Sequence, residues 1–246
     1  MRCKLASKIV FASAICAAVL ALASLTPMVR AQTPPAGSAQ ELIQQNVAAA
    51  KLAAAENQAA LKQYTWVERT TLSLKGEAKN VALAQVVCDA EGKQQKTPLS
   101  EPAAPEKKRG LRGKIVESKT EDMKAYMEQV KALIGEYVPP SPTRMQEAFA
   151  AGRVAVSNPS PDAAQLKFTD YARAGDQMTL LFDTATKKIR HVDISSALEN
   201  KDPVTMKVEF QALPDGTNYT AVTTVDAPAK EIQVKMEQIN FQKVAR

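Results

Sequence analysis

Histidine is almost missing from this chain: His191 is the only one among 246 residues. Cysteine is scarce too, with Cys3, Cys16 and Cys88. A structural zinc site takes four Cys or His ligands; Cys3 and Cys16 belong to an N-terminal segment with the parts of a cleaved signal, which leaves two, so no metal is implied. Asp193 lies two positions from His191, but residues two apart on a strand point in parallel, and no G-x-S-x-G elbow is present for a nucleophilic serine. A Cys88–His191 dyad exists by composition alone. Cys88 follows Ala82, Ala84 and Val86, which describes a packed thiol rather than an activated one. Neither G-x-G-x-x-G nor G-x-x-x-x-G-K-[ST] occurs, so no nucleotide cofactor is implied. The sequence therefore points away from an enzyme and assigns no catalytic residue. No spacing repeats, which excludes a solenoid.

The first 31 residues have the parts of a secretory signal. Arg2, Lys4 and Lys8 form a positive start with no acid. Ile9 to Leu25 carries no charge, and Pro27 then precedes Val29-Arg30-Ala31, with small residues at −3 and −1 for cleavage after Ala31. The mature chain is then expected in the periplasm or outside the cell. Removing this segment takes Arg2, Lys4, Lys8 and Arg30 from the 32 bases and nothing from the 26 acids, so the net charge falls from +6 to +2. An excess of two charges gives no basic footprint for nucleic acid, and none is expected as a partner. Cys3 and Cys16 leave with the signal, so Cys88 has no internal disulfide partner. The remaining 215 residues are enough to bury a core without one.

A polar leader, residues 32–37, precedes the capping box Ser38-Ala39-Gln40-Glu41. An Ala-rich helix follows to Leu61, with Ile43, Val47, Ala50, Ala54 and Leu61 on one stripe. Strand patterns start at Tyr64, with Tyr64, Trp66, Leu72 and Leu74 on one face and a turn at Lys75-Gly76-Glu77. The next strand is apolar on both faces, which predicts a central strand covered on both sides. Residues 98–114 fit no period and read as a long loop. Ser118-Lys119-Thr120-Glu121 can cap a helix whose Met123, Tyr126, Met127, Val130, Leu133, Ile134 and Tyr137 share a face. Ser141 and Pro142 open a short helix that ends before Gly152, with Met145 and Phe149 inward. From Arg153 the period is two, with short joins such as Leu213-Pro214-Asp215-Gly216, so sequential strands are antiparallel neighbours. A phase slip at Gln238 suggests a bulge in the last strand. One α+β domain over residues 38–246 is predicted: an antiparallel sheet packed with an N-terminal helix and a central helix pair.

Asp89, Asp176, Asp183 and Asp215 stand beside turn signals, where backbone hydrogen bonding accounts for them. Glu68 falls on the apolar face of a strand and calls for an ion pair with a nearby base. Two groups remain as binding candidates. The stripe Met123, Tyr126, Met127 and Val130, with Trp66, could line an apolar cleft, because methionine adapts to variable ligands. The bases Lys107, Lys108, Arg109, Arg112 and Lys114 could meet an acidic partner or an anionic membrane surface, at about 1 kcal/mol per base near such a surface. The sequence sets no oligomeric state.

A signal, a long helix leading into strands, two interrupting helices and a closing antiparallel run together resemble the LolA-like superfamily of periplasmic lipoprotein carriers. LKQYTWVERT, KKRGLRGK and LPDGTNY are also similar to stretches of secreted bacterial proteins of unknown function. The resemblance implies a strongly curved, half-barrel-like sheet plugged by helices, and a lipid or lipoprotein acyl chain as the bound partner. The alternative is an interaction module that presents the basic segment while the sheet serves as scaffold.

Because neither His191 nor Cys88 has a plausible catalytic partner, the double variant His191→Ala, Cys88→Ala is expected to keep its circular dichroism spectrum and the wild-type function. A folded double variant without function would overturn the non-enzymatic reading.

Overall fold

The computed structural model describes residues 55–89, 93–99, 111–138, 140–186 and 188–244. The signal, the leader, the capping box at Ser38, most of the Ala-rich stretch and Lys107, Lys108 and Arg109 lie outside these residues. Residues 55–61 are helical (α1). Three strands follow: β1 (Tyr64–Leu74), β2 (Glu77–Cys88) and β3 (Gln94–Pro98). Two helices come next, α2 (Leu111–Gly135) and α3 (Pro142–Ala150). The chain then runs through β4 (Val154–Ser160), β5 (Ala163–Thr169), β6 (Gln177–Asp183) and β7 (Ile189–Ala197). It closes with β8 (Pro203–Ala212), β9 (Asn218–Ala227) and β10 (Ile232–Lys243).

All ten strands form one antiparallel sheet in the order β3-β2-β1-β10-β9-β8-β7-β6-β5-β4. Its two ends, β3 and β4, do not pair with each other, so the sheet stays open. β4 to β10 is a meander, as the short joins predict. The hairpin β1–β2 turns at Lys75 (φ 56°) and Gly76 (φ 77°), and two successive positive φ angles make the tight turn that matches strand twist. Alternation places one face of each strand inward. In β8, Val204, Met206 and Val208 are buried while Lys207 and Glu209 face solvent. The main core joins these inner faces to Tyr126, Val130 and Leu133 of α2, to Tyr137 in the turn just after it, and to Met145 and Ala148 of α3. α3 starts as expected, with the Ser141 hydroxyl accepting from Arg144 N at 3.4 Å.

Four expectations change. The segment 98–114 is not all loop, because α2 begins at Leu111, so Arg112 and Lys114 are helical. Ser118-Lys119-Thr120-Glu121 consequently lies inside that helix and caps nothing. Between Leu111 and Gly135 only Gly113 weakens the helix and no proline stops it, whereas Pro98, Pro102 and Pro105 all precede it. β2 is second from the sheet edge rather than central, and on its outer face Val81 and Val87 are 50% and 41% exposed. The bulge in β10 sits beyond Gln238: Val67 pairs with Ile239 but Thr65 with Gln242, and Asn240 takes φ 57°. Asn enters that left-handed region more readily than most residues, so the backbone yields there. Gln238 itself keeps the inward phase and is 8% exposed.

The turn aspartates act on the backbone. Asp89 accepts from Lys93 N at 2.7 Å, Asp183 from Thr186 N at 2.7 Å and Asp215 from Thr217 N at 3.0 Å. Asp176, 2% exposed, does most. It accepts from Tyr171 N at 2.6 Å, Ala172 N at 2.9 Å and Arg173 N at 2.7 Å, and from the Tyr137 hydroxyl at 2.5 Å. Burial first, and then this carboxylate, push the Tyr137 phenol pKa well above its ordinary value. One side chain thus closes the β5–β6 loop and ties the end of α2 to it. Asp176→Ala strips the carboxylate from three backbone donors and leaves the Tyr137 hydroxyl only Ser196 Oγ, at 2.8 Å; it is expected to destabilise the protein by about 3 kcal/mol in urea unfolding, against about 1 kcal/mol for Tyr137→Phe.

Candidate functional site

The inner face of β1 carries Tyr64, Trp66, Glu68, Thr70, Leu72 and Leu74 in sequence, since side chains two apart share a face. β10 sets Gln238 opposite Glu68, Met236 opposite Thr70 and Val234 opposite Leu72. β2 sets Val86 opposite Trp66 and Ala84 opposite Glu68, and β3 sets Lys96 opposite Val86. The face changes character along its length. Leu72 and Leu74 pack on the main core. At the other end Leu61, Trp66, Val86 and Cys88 form a separate small cluster with Tyr219 and Phe241. A polar band of Glu68, Lys96 and Gln238 lies between.

In this band the Lys96 ammonium donates to both Glu68 oxygens, at 2.6 and 2.7 Å, from β3 across β2 to β1. Only Val86 and the short Ala84 stand between on this face. The two side chains are 14% and 11% exposed. This is the base that Glu68 called for in the sequence. Trp66 is fully buried and stacks on Phe241 at 5.4 Å with 20° between the planes. Phe241 also meets Tyr219 at 4.4 Å, and Gln85 Nε2 donates to the Trp66 carbonyl at 3.2 Å. Tyr64 donates to Asp215 at 2.5 Å, and this hydrogen bond leads the causes holding the Asp215 carboxyl well below the usual range.

The candidate cleft residues divide between two places. Tyr126 and Val130 are buried in the main core, with Met123 and Met127 half-buried against it. Trp66 belongs to the other cluster and is not brought beside them. Burial, then the Asp202 charge, raise the Tyr126 phenol pKa, and Lys230 Nζ lies 5.7 Å from its ring centre. Of the five bases, Arg112 and Lys114 stand at the start of α2.

Two arrangements were not expected. His191 Nε2 lies 2.9 Å from Asp193 Oδ2, so the parallel side chains do touch. They are on the outer face, and Cys88 is on the inner one, so the thiol and the imidazole do not meet. Beside them Gln177, Thr179, Asp193, Ser195, Thr205 and Lys207 are among the residues that line a shallow groove of about 350 Å³. The sequence signal was their alternation with the core positions, which marks only the solvent face. Among the described residues no group of three His, Cys, Asp or Glu is placed to hold a metal.

What these features define is a class of architecture: an open antiparallel sheet whose inner face is covered by a long helix and divided by a polar band. No protein-family model matches the sequence, and no characterised protein matches it either. The structure is similar to that of a LolA superfamily protein from Nitrosomonas europaea, with 8% identity over 78% of this chain and 93% of that one, at a TM-score of 0.33. It is also similar to a DUF1329 family protein from Desulfovibrio piger, with 8% identity over 76% and 90% and a TM-score of 0.30. Superpositions this loose carry no functional weight, and the fold assignment rests on the register of the chain's own strands.

A buried charge left alone is worse than no pair at all. Lys96→Met is therefore expected to cost about 2 kcal/mol in chemical unfolding, less than a fully enclosed pair because some solvent reaches these groups. The double variant Glu68→Leu, Lys96→Met should recover most of that loss.

Proposed function

We propose that this chain is a non-enzymatic binding or carrier protein for an apolar ligand, a lipid or the acyl part of a lipoprotein, acting in the cell envelope. The observation that carries the proposal is the change in burial along α2. Tyr137, Leu133 and Val130 are 0%, 2% and 1% exposed, Tyr126 is 6%, and Met127 and Met123 are only half-buried. Among the described side chains of the helix Val130 and Leu133 are packed on the sheet, while Met123, Met127 and Ile134 pack against it and keep part of their surface free. Unbranched, polarisable side chains repack around ligands of varying shape. An acyl chain entering beside Met123 and Met127 meets apolar inner-face residues at once. The signal-like N-terminus supports a periplasmic or extracellular setting. No helix among the described residues is long and apolar enough to cross a membrane.

Native mass spectrometry of the protein purified from its own envelope tests this. A co-purifying lipid or lipopeptide is the expected result. In Met123→Lys, Met127→Lys that adduct should fall at least about tenfold with the fold intact, since half-buried positions accept a long base with its charge in water. A wild-type protein that carries no lipid and takes none up from vesicles would overturn the carrier reading.

A further inference from the structure

The polar band and the aromatic cluster beside it hold two buried atoms that find no hydrogen-bond partner among the described residues: Gln238 Oε1 and Trp66 Nε1. Trp66 is 0% and Gln238 8% exposed, so bulk water does not serve either. Buried polar atoms in native proteins are overwhelmingly paired, and each exception calls for a physical cause. These two are complementary, since an indole N–H only donates and an amide oxygen only accepts. They are also near neighbours. Glu68 stands directly opposite Gln238, and Trp66 lies two residues before Glu68 on the same face. Diagonal positions on regularly paired strands are roughly 7–8 Å apart at the backbone, within reach of long side chains, and the register shift at Trp66 alters that spacing locally. The bulge at Asn240 falls between Gln238 and Phe241 on β10, and Phe241 stacks on the indole and fixes its plane.

We propose that Trp66 Nε1 and Gln238 Oε1 together receive a hydroxyl group, the uncharged head of a long-chain amphipathic ligand such as a monoacylglycerol or fatty alcohol. The proposal rests on the carrier reading above and names the class of ligand. A hydroxyl is the smallest group that accepts from the indole and donates to the amide at once. Charge selects against the alternatives. The Lys96 ammonium is engaged by both oxygens of Glu68, so it offers little to an anionic head, while the adjacent carboxylate repels one. An ionised carboxylate head also has no proton to give Gln238 Oε1. The chain of the ligand then runs from the band along Thr70, Leu72 and Met236 toward the α2 stripe, the apolar direction on this face.

A bound water can make the same two hydrogen bonds, and the test separates it from a ligand. Trp66 is the only tryptophan in the sequence, so its emission reports on this position alone. The mature protein is titrated with 1-monooleoylglycerol and, separately, with oleate. Monooleoylglycerol is expected to shift the Trp66 emission and to bind at least about tenfold more tightly than oleate, a difference of about 1.4 kcal/mol. Gln238→Leu, with its melting temperature little changed, should bring monooleoylglycerol down to the level of oleate. Trp66→Phe, followed by native mass spectrometry, should do the same while keeping the stacked ring, and it serves if Gln238→Leu does not fold. Equal affinity for the two lipids, or variants that bind monooleoylglycerol as well as the wild type, would overturn the proposal in favour of a bound water and leave the carrier reading standing. Binding of neither lipid, with no adduct in native spectra, would sink both.

Discussion

The pairing of β1 with β10 is the contact on which the rest of this structure depends. It joins the β1–β2–β3 unit to the seven-stranded meander β4–β10, and without it the molecule has two sheets with two more edges. The pairing is regular from Leu74–Ile232 to Val67–Ile239, which continues the main core onto Leu72 and Leu74. It then breaks once, at Asn240. Beyond the break Phe241 meets Trp66, and a second small core begins. One extra residue in one strand therefore accompanies the passage from a broad core to an aromatic corner.

Between the two cores the inner face turns polar where a sheet protein is expected to be dry. The Glu68–Lys96 pair is held in this band without a clear gain in stability, since two well-packed apolar side chains often do as well. What such a pair supplies is discrimination. The two charges balance each other, and Gln238 Oε1 and, next to the band, Trp66 Nε1 are left without a partner among the described residues. The carrier reading and the hydroxyl reading thus concern two stretches of one surface. On those two proposals the apolar side chains along α2 would set the length and adaptability of binding, and the band the chemistry of one end.

Much of this was legible in the sequence wherever cause and effect lie close along the chain. The turn aspartates, the Ser141 cap and the alternation of β8 are local, and the structure shows each as read. Glu68 was legible as a misfit and its partner as a base, although only the register identifies Lys96. The misses are all non-local or set by what is absent. The place of β2, second from the edge, depends on β3 being short and last in the sheet. The start of α2 depends on the lack of any proline between Leu111 and Ser118, and capping residues at Ser118 outweighed that in the sequence. The bulge was expected at Gln238 because a polar residue broke an apolar pattern. The structure keeps Gln238 in phase because the inner face is itself polar there. Trp66 grouped with the α2 stripe by hydrophobicity, but the sheet places it across the band.

The placement of the last strand beside the first also governs when the molecule can form. β1 appears early in synthesis, yet the strand that holds it on one side is residues 232–243, the end of the described chain. Until those residues are available, the β1–β2–β3 unit is a small sheet with an apolar face and nothing to pack it on, too little to be stable alone. Pairings of such long range raise the contact order, and with it the time a chain spends searching before it is committed. The protein should therefore fold late and as a whole, staying pliable while it is incomplete.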